Sequence, residues 1–154
     1  MKSVPVTKVH LVKVTADTVR AVAALKVSPD QETFVAPNAF SIAEAYFTKE
    51  HWFRAIAADD ELVGFVMLYT KVEDEAVFIW RFMIDHRFQG RGYGAAALSA
   101  VIAEVKSWPG LAALRLSFVD QPGGPEAFYA TNGFRRTGRV LDGEIEAELR
   151  PLPA

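Results

Sequence analysis

The run from Phe78 to Gly94, FIWRFMIDHRFQGRGYG, constrains this chain more than any other part of it. Ala76–Ile84 is apolar almost throughout except for Arg81, as expected of a strand covered on both faces. It runs through Asp85 into Gly90, Gly92 and Gly94, and from there straight into a helical pattern ending at Lys106. Glycines let the backbone adopt dihedrals closed to other residues and come close to a ligand. The free N–H groups of the loop and first helical turn then point at one place, where the helix dipole favours an anion. Arg87 and Arg91 add positive charge nearby. The segment predicts a phosphate cradle. A glycine-rich turn that merely permits tight strand–helix packing is the competing reading, and the glycines alone leave both open.

Two other phosphate motifs do not fit. A P-loop ends in Gly-Lys-Ser/Thr, whereas this loop continues Gly94-Ala95-Ala96. In a Rossmann fingerprint the third glycine comes one residue later, near the start of a βαβ unit, and here three strand-like runs already precede the loop. Those runs are Val9–Val14, Trp52–Ala58 and Leu62–Tyr69, the last two flanking a turn at Ala58–Glu61. Helical spacing is read over Ala16–Leu25 with Thr15 as N-cap, and over Ser41–Lys49, where Ser41 and Glu44 have capping-box spacing. Val27–Asn38, with Pro29 and Pro37, reads as a connecting loop. Glu73-Asp74-Glu75 turns the chain into the strand at Ala76, and Pro109-Gly110 stops the helix after the glycine loop. Ala112–Val119 is a strand and a short helix ends at Asn132. Gly133–Val140 and Glu144–Leu149 form a closing hairpin around Asp142-Gly143. The expected fold is α+β: one domain over 1–154, a mixed sheet of six to seven strands and about four helices.

Composition closes off several functions. The chain has no cysteine, hence no disulfide, thiol nucleophile or thiolate metal site. His10, His51 and His86 have no metal-ligand spacing, so no metal is expected. A net charge of −2 argues against nucleic acid, whose phosphates need a basic face. No apolar run approaches the roughly 20 residues of a membrane span, and the start MKSVPVTKVHL lacks the core of a secretory signal. A cytoplasmic protein with no membrane partner is expected.

Gln89-Gly90-Arg91-Gly92-Tyr93-Gly94 resembles the Gln/Arg-x-x-Gly-x-Gly/Ala signature of the GNAT acetyltransferases. Ala127-Phe-Tyr-Ala-Thr-Asn-Gly-Phe134 is similar to that superfamily's second signature, an aromatic pair before Gly-Phe. The order and spacing of the two motifs match, and the element order agrees from end to end. In Trp80–Asp85, the glycine loop and Thr137-Gly138 before Glu144, the wording looks most like the diamine and spermidine acetyltransferase branch.

The resemblance implies transfer of an acetyl group from acetyl-CoA to a small-molecule primary amine by direct attack, with polyamines first among acceptors. Aminoglycosides, amino acids and protein N-termini follow, and a homodimer is a further expectation. It implies that the backbone from Gln89 through Gly90, Arg91, Gly92, Tyr93 and Gly94 to Ala95 holds the coenzyme's pyrophosphate. Met83 and Ile84 would pair with the pantetheine arm as an added strand, one amide polarising the acetyl carbonyl. Tyr129 would protonate the departing thiolate, a phenol of pKa about 10 suiting a thiol of about 8.5. For the proton on the incoming amine the candidates are Asp85, Glu44, Glu32 or a water chain, because Phe78 and Trp80 stand where some relatives carry a glutamate. Relatives place an asparagine in the loop after the fifth strand, and Gly124 stands at that position here. Asp30, Glu32, Glu44 and Glu73–Glu75 are candidate walls of an anionic acceptor groove. The alternatives are a coenzyme-binding sensor without turnover and a nucleotide-binding domain of another family.

Overall fold

In the computed structural model, described over residues 7–153, the chain runs β1 (Val9–Val12), α1 (Val19–Ala24), α2 (Asn38–Tyr46), β2 (His51–Ala58), β3 (Glu61–Glu73), β4 (Ala76–Ile84), α3 (Tyr93–Lys106), β5 (Ala113–Phe118), α4 (Glu126–Thr131), β6 (Arg135–Leu141) and β7 (Glu144–Leu149). Most of the N-terminal stretch read for a secretory signal lies outside the described residues. The strands form one sheet in the order β1-β2-β3-β4-β5-β7-β6. Every pairing is antiparallel except β4 with β5. The mixed α+β architecture expected from the sequence is the one observed. Among the described residues no helix is long and apolar enough to cross a membrane.

Hairpin chemistry fixes much of this order. Asp74 and Glu75, and then Asp142 and Gly143, take positive φ values, the left-handed pairs that match the twist of adjoining strands. Period-2 alternation then divides the sheet between two cores. On one face α3 buries Ala97, Leu98, Val101 and Val105 against Val66, Leu68, Val77, Ile79, Leu114 and Leu116. On the other, Val22 and Leu25 at α1 pack with Ala55, Phe65, Met67 and Met83.

The helical starts differ from the sequence reading. α1 begins three residues after Ala16, because Thr15 and Thr18 bond each other's backbone and side chain and hold that turn out of the helix. α2 begins at Asn38 behind Pro37, not at Ser41, so Ser41 and Glu44 make no capping box. The Ser41 hydroxyl instead donates to Pro37 O at 3.4 Å. Asn38 is drawn into the helix because its buried amide caps α1, donating to Val22 O at 2.9 Å and Leu25 O at 3.3 Å. The connection before it is not wholly irregular, since Pro29–Gln31 forms one 3₁₀ turn fastened by Ser28 and Gln31.

β4 departs most from expectation. Its ends are buried, but Trp80 is 36% exposed and Phe78, Arg81 and Phe82 are half-buried. Two irregularities cause this. In the β3 pairing Met67 opposes Arg81 while Leu68 opposes Ile79, so Trp80 is an extra residue, a β-bulge. On the other side β4 pairs with β5 only from Ala76–Ile79 to Ala113–Leu116. Beyond those residues the strands part.

Candidate active site

The parting of β4 and β5 opens a cleft of about 1220 Å³. The glycine loop and the start of α3 close one end, Tyr129 and Phe128 of α4 one side, and the α1–α2 connection reaches across it.

Strand parity decides which backbone groups face the gap. Asp85 N–H donates to Val63 O at 2.7 Å, making Val63 and Asp85 a hydrogen-bonded pair. Such pairs alternate along an antiparallel ladder, so Met83 and Arg81 also turn their amides toward β3. Phe82 and Ile84 turn theirs into the gap. Of the two residues expected to pair with the pantetheine, Met83 is thus spent on β3, with its side chain buried beside α1. Ile84 keeps a free N–H at the edge, and Phe82, not anticipated from the sequence, supplies the other edge group. The Ile84 carbonyl accepts from Gln89 Nε2 at 2.9 Å.

The three glycines divide the two readings offered for them. Gly90 and Gly92 have φ of +79° and +82°, and a side chain at either would meet only open space. Gly92 is the N-cap of α3. The first intrahelical bond runs from Ala96 N to Gly92 O, which leaves the N–H groups of Tyr93, Gly94 and Ala95 directed outward. This is an anion cradle at the start of a helix of 14 residues. Gly94 is a packing glycine: a Cβ there would stand 3.3 Å from the Phe128 ring. Arg87 is engaged by Asp85 at 2.8 Å, whereas Arg91 has no carboxylate partner among the described residues. Gln89 contributes backbone to the loop, but its side chain ties the loop to Gln31 at 2.9 Å.

If the Gly92 backbone lies against phosphate, Gly92→Val weakens acetyl-CoA binding tenfold or more, above about 1.4 kcal/mol. A β-branched residue at this φ is strained and moves the loop amides, while the open space leaves the fold intact. Titration calorimetry and thermal melting together check it.

The Tyr129 ring is wedged between Phe128 and Phe134, with ring centres 5.2 and 5.7 Å away, and it also lines the cleft. One side chain therefore both packs in the core and faces the cleft. Its hydroxyl makes no hydrogen bond to another described residue, and burial pushes the phenol pKa above its ordinary value.

The expected proton acceptors fare differently. Asp85 is 1% exposed, lies outside the cleft wall and caps the 3₁₀ turn His86–Phe88. Burial alone would raise its pKa, but hydrogen bonds from the Arg87 side chain, Lys26 N–H and Arg87 N–H hold it below the usual carboxylate range. A carboxylate bound by three donors is a weak base, so its task is structural. Asp85→Asn is expected to cost about 1–3 kcal/mol while leaving turnover per folded molecule largely intact. Because the folded pKa is depressed, this stability is complete above about pH 4 and is lost as pH falls through the lower folded value. Denaturant melts of both proteins at pH 7 and at pH 3 check the sign.

Glu44 is paired with Arg81 at 3.4 Å. Asp74 pairs with Arg115 at 2.7 Å at the far end of the sheet, and Asp30 accepts from Ser28. Of the acids expected along an acceptor groove only Glu32 lines the cleft. Two others missed in the sequence, Asp142 and Glu144, line it as well. Trp80 and Tyr69 line it too, and Trp80 packs edge-on against Tyr69 and His51, at 5.6 and 4.4 Å. Burial lowers the His51 pKa against the pull of nearby Glu44, keeping the ring neutral at pH 7. Gly124 lets the loop after β5 fold tightly, since a Cβ there would crowd Gln121 O at 3.0 Å and stand 3.7 Å from the Phe34 ring of the α1–α2 connection. Among the described residues no three acidic or histidine side chains are placed to hold a metal ion.

Residues 16–134 match the family model described as the acetyltransferase (GNAT) family. The chain is 26% identical over 147 residues to the spermine/spermidine N(1)-acetyltransferase of Bacillus subtilis (strain 168), covering 90% of this chain and 91% of that one. Among solved structures it resembles an acetyltransferase from Thermus thermophilus, with a TM-score of 0.72 and 20% identity over 94% of this chain and 97% of the other. It also resembles a Bacillus subtilis acetyltransferase in complex with CoA, with a TM-score of 0.68 and 16% identity over 96% and 100%. At these identities the two structural likenesses speak for the fold.

Proposed function

The chain belongs to the GNAT family and is an acetyl-CoA-dependent N-acetyltransferase, and on that premise we propose that it acetylates a primary amine of a polyamine, spermidine or spermine, in the β4–β5 cleft. One observation carries the reading. A cradle of free amides at Gly90–Ala95 and the free edge of Phe82 and Ile84 open onto one cleft, whose far wall is aromatic and acidic. The first two suit a pyrophosphate and an extended pantetheine arm. The third suits a cation on an apolar chain, since an ammonium is stabilised by aromatic faces and carboxylates alike. The Bacillus subtilis relative, named for its action on spermine and spermidine, supports the same acceptor.

In this mechanism the Ile84 or Phe82 N–H donates to the acetyl oxygen as charge develops there. Arg91 and the α3 terminus hold the pyrophosphate, fixing the thioester beside the edge. Tyr129 supplies the proton to sulfur. Steady-state rates on spermidine, spermine, an aminoglycoside, free amino acids and a peptide N-terminus test the acceptor. Polyamines turn over fastest if the reading holds, and a clear preference for an acidic or neutral acceptor overturns it.

A further inference from the structure

We propose that Glu144 takes the proton from the acceptor's ammonium group, an inference that rests on the amine-acetylation reading above. The sequence Glu144-Ile-Glu-Ala-Glu148 places three carboxylates on one face of β7, the face without α3. Two of them are occupied. Glu148 is bonded to Arg115 at 2.9 Å and to Arg150 at 3.3 Å. Glu146 is nearly fully buried, accepts from the Thr137 hydroxyl at 2.8 Å and has Arg139 at 3.8 Å.

Glu144 has no cation within ion-pair distance among the described residues. Its side chain accepts a hydrogen bond from the Ser117 hydroxyl at 3.1 Å. Both residues line the cleft.

Their position follows from strand register. Phe118 of β5 pairs with Ile145, so Glu144 projects just past the last pair, where β4 has already left β5. Across that gap stands Arg81, close enough that Glu144 favours its charge. The Arg81 guanidinium itself is turned to Glu44 and Trp80 O. Of the three carboxylates lining the cleft, Asp142 is exposed on the hairpin turn and Glu32 on the α1–α2 connection. Glu144 alone is half-buried on a strand and oriented by a neighbour. A positioned carboxylate in the same cleft as an edge of free amides suits deprotonation of an amine that attacks a thioester there.

The proton balance closes. The ammonium gives one proton to Glu144, and the freed nitrogen attacks the acetyl carbonyl. As the C–N bond forms and the C–S bond breaks, Tyr129 gives its proton to sulfur and the second amine proton replaces it. Glu144 returns its proton to water, so each turnover yields amide, free thiol and one proton.

The test uses the isosteric Glu144→Gln on the full chain with two acceptors at neutral pH: spermidine, which is charged, and an O-alkylhydroxylamine, whose amine is already neutral. With spermidine kcat is expected to fall roughly 10²-fold, the range for losing a general base. With the neutral acceptor the rate stays within about threefold, which also certifies the fold, because nothing remains for the carboxylate to remove. Ser117→Ala gives a smaller loss confined to spermidine. Equal losses on both acceptors overturn the proposal, as does a raised KM for spermidine at unchanged kcat, which would make Glu144 a binding group only. A wild-type enzyme that acetylates no amine overturns the functional reading instead.

Discussion

Tyr129→Phe is expected to reduce kcat by roughly 10²-fold while leaving both stability and coenzyme affinity close to those of the parent protein. The separation is unusually clean at this position. The substitution keeps the ring that packs between Phe128 and Phe134. The lost hydroxyl has no partner among the described residues, so folding forfeits no hydrogen bond. Burial keeps the phenol protonated, and a proton is therefore on hand at any working pH. The thiolate leaving into the same apolar surroundings is also robbed of solvation, which raises its own basicity and brings the two groups toward proton transfer as the C–S bond stretches. A hydroxyl that protonates the thiolate is needed only as the thioester breaks, so its loss falls on kcat and not on binding. Single-turnover kinetics identify the chemical step. A variant with more than half the parent kcat, with chemistry rate-limiting, would reduce Tyr129 to a core residue.

The second large effect lies away from any side-chain chemistry. Gly64 of β3 faces Ile84, and a Cβ there would collide with the carbonyl oxygen of Met83 and stand 3.0 Å from Ile84 Cδ1 and 3.2 Å from Ile56 Cδ1. A backbone oxygen cannot swing aside as a side-chain tip can, so β3 and β4 must separate. Gly64→Ala is expected to cost about 3 kcal/mol or more, at the upper end for overpacking, and to lower the melting temperature by roughly 10 °C. Any folded remainder would also lose turnover on every acceptor, because the displaced segment carries the Ile84 edge. Calorimetry with activity per folded molecule checks both. A melting temperature within about 2 °C of the parent, under 1 kcal/mol for a chain of this size, would show that the sheet accommodates the methyl group.

What the sequence disclosed, and what it withheld, follows from the range of the interactions involved. The strand, glycine loop and helix from Ala76 to Lys106 were legible because their signals lie between near neighbours: glycine dihedrals, an apolar run, helical spacing. The motif around Tyr129 was visible too, and the fold brings that residue to the cleft. Gly94 could not be sorted from Gly90 and Gly92 until Phe128, far along the chain, came to rest on it. Met83 and Ile84 could not be told apart because the ladder with β3 sets which amide faces outward. Asp85 looked free because Lys26, 59 positions earlier, holds one of its oxygens. Glu144 went unread although the alternation Glu-Ile-Glu-Ala-Glu was visible. Its distinction lies in lacking the cations that Glu146 and Glu148 have, and sequence spacing carries no such information.

The extra residue at Trp80 has a consequence for how such an edge changes over time. Ile79 and Ile84 face the same core although five positions separate them, an odd interval that a regular strand would place on opposite faces. Deleting one residue between them would leave an even interval, so a regular strand would hold both on the same core and pair with β3 without the bulge. No substitution can do this. The edge is thus written in a count, not in an alphabet. Side chains at 82 and 84 are free to drift as long as they fill the same space, while a single-codon loss in this stretch removes the bulge in one step.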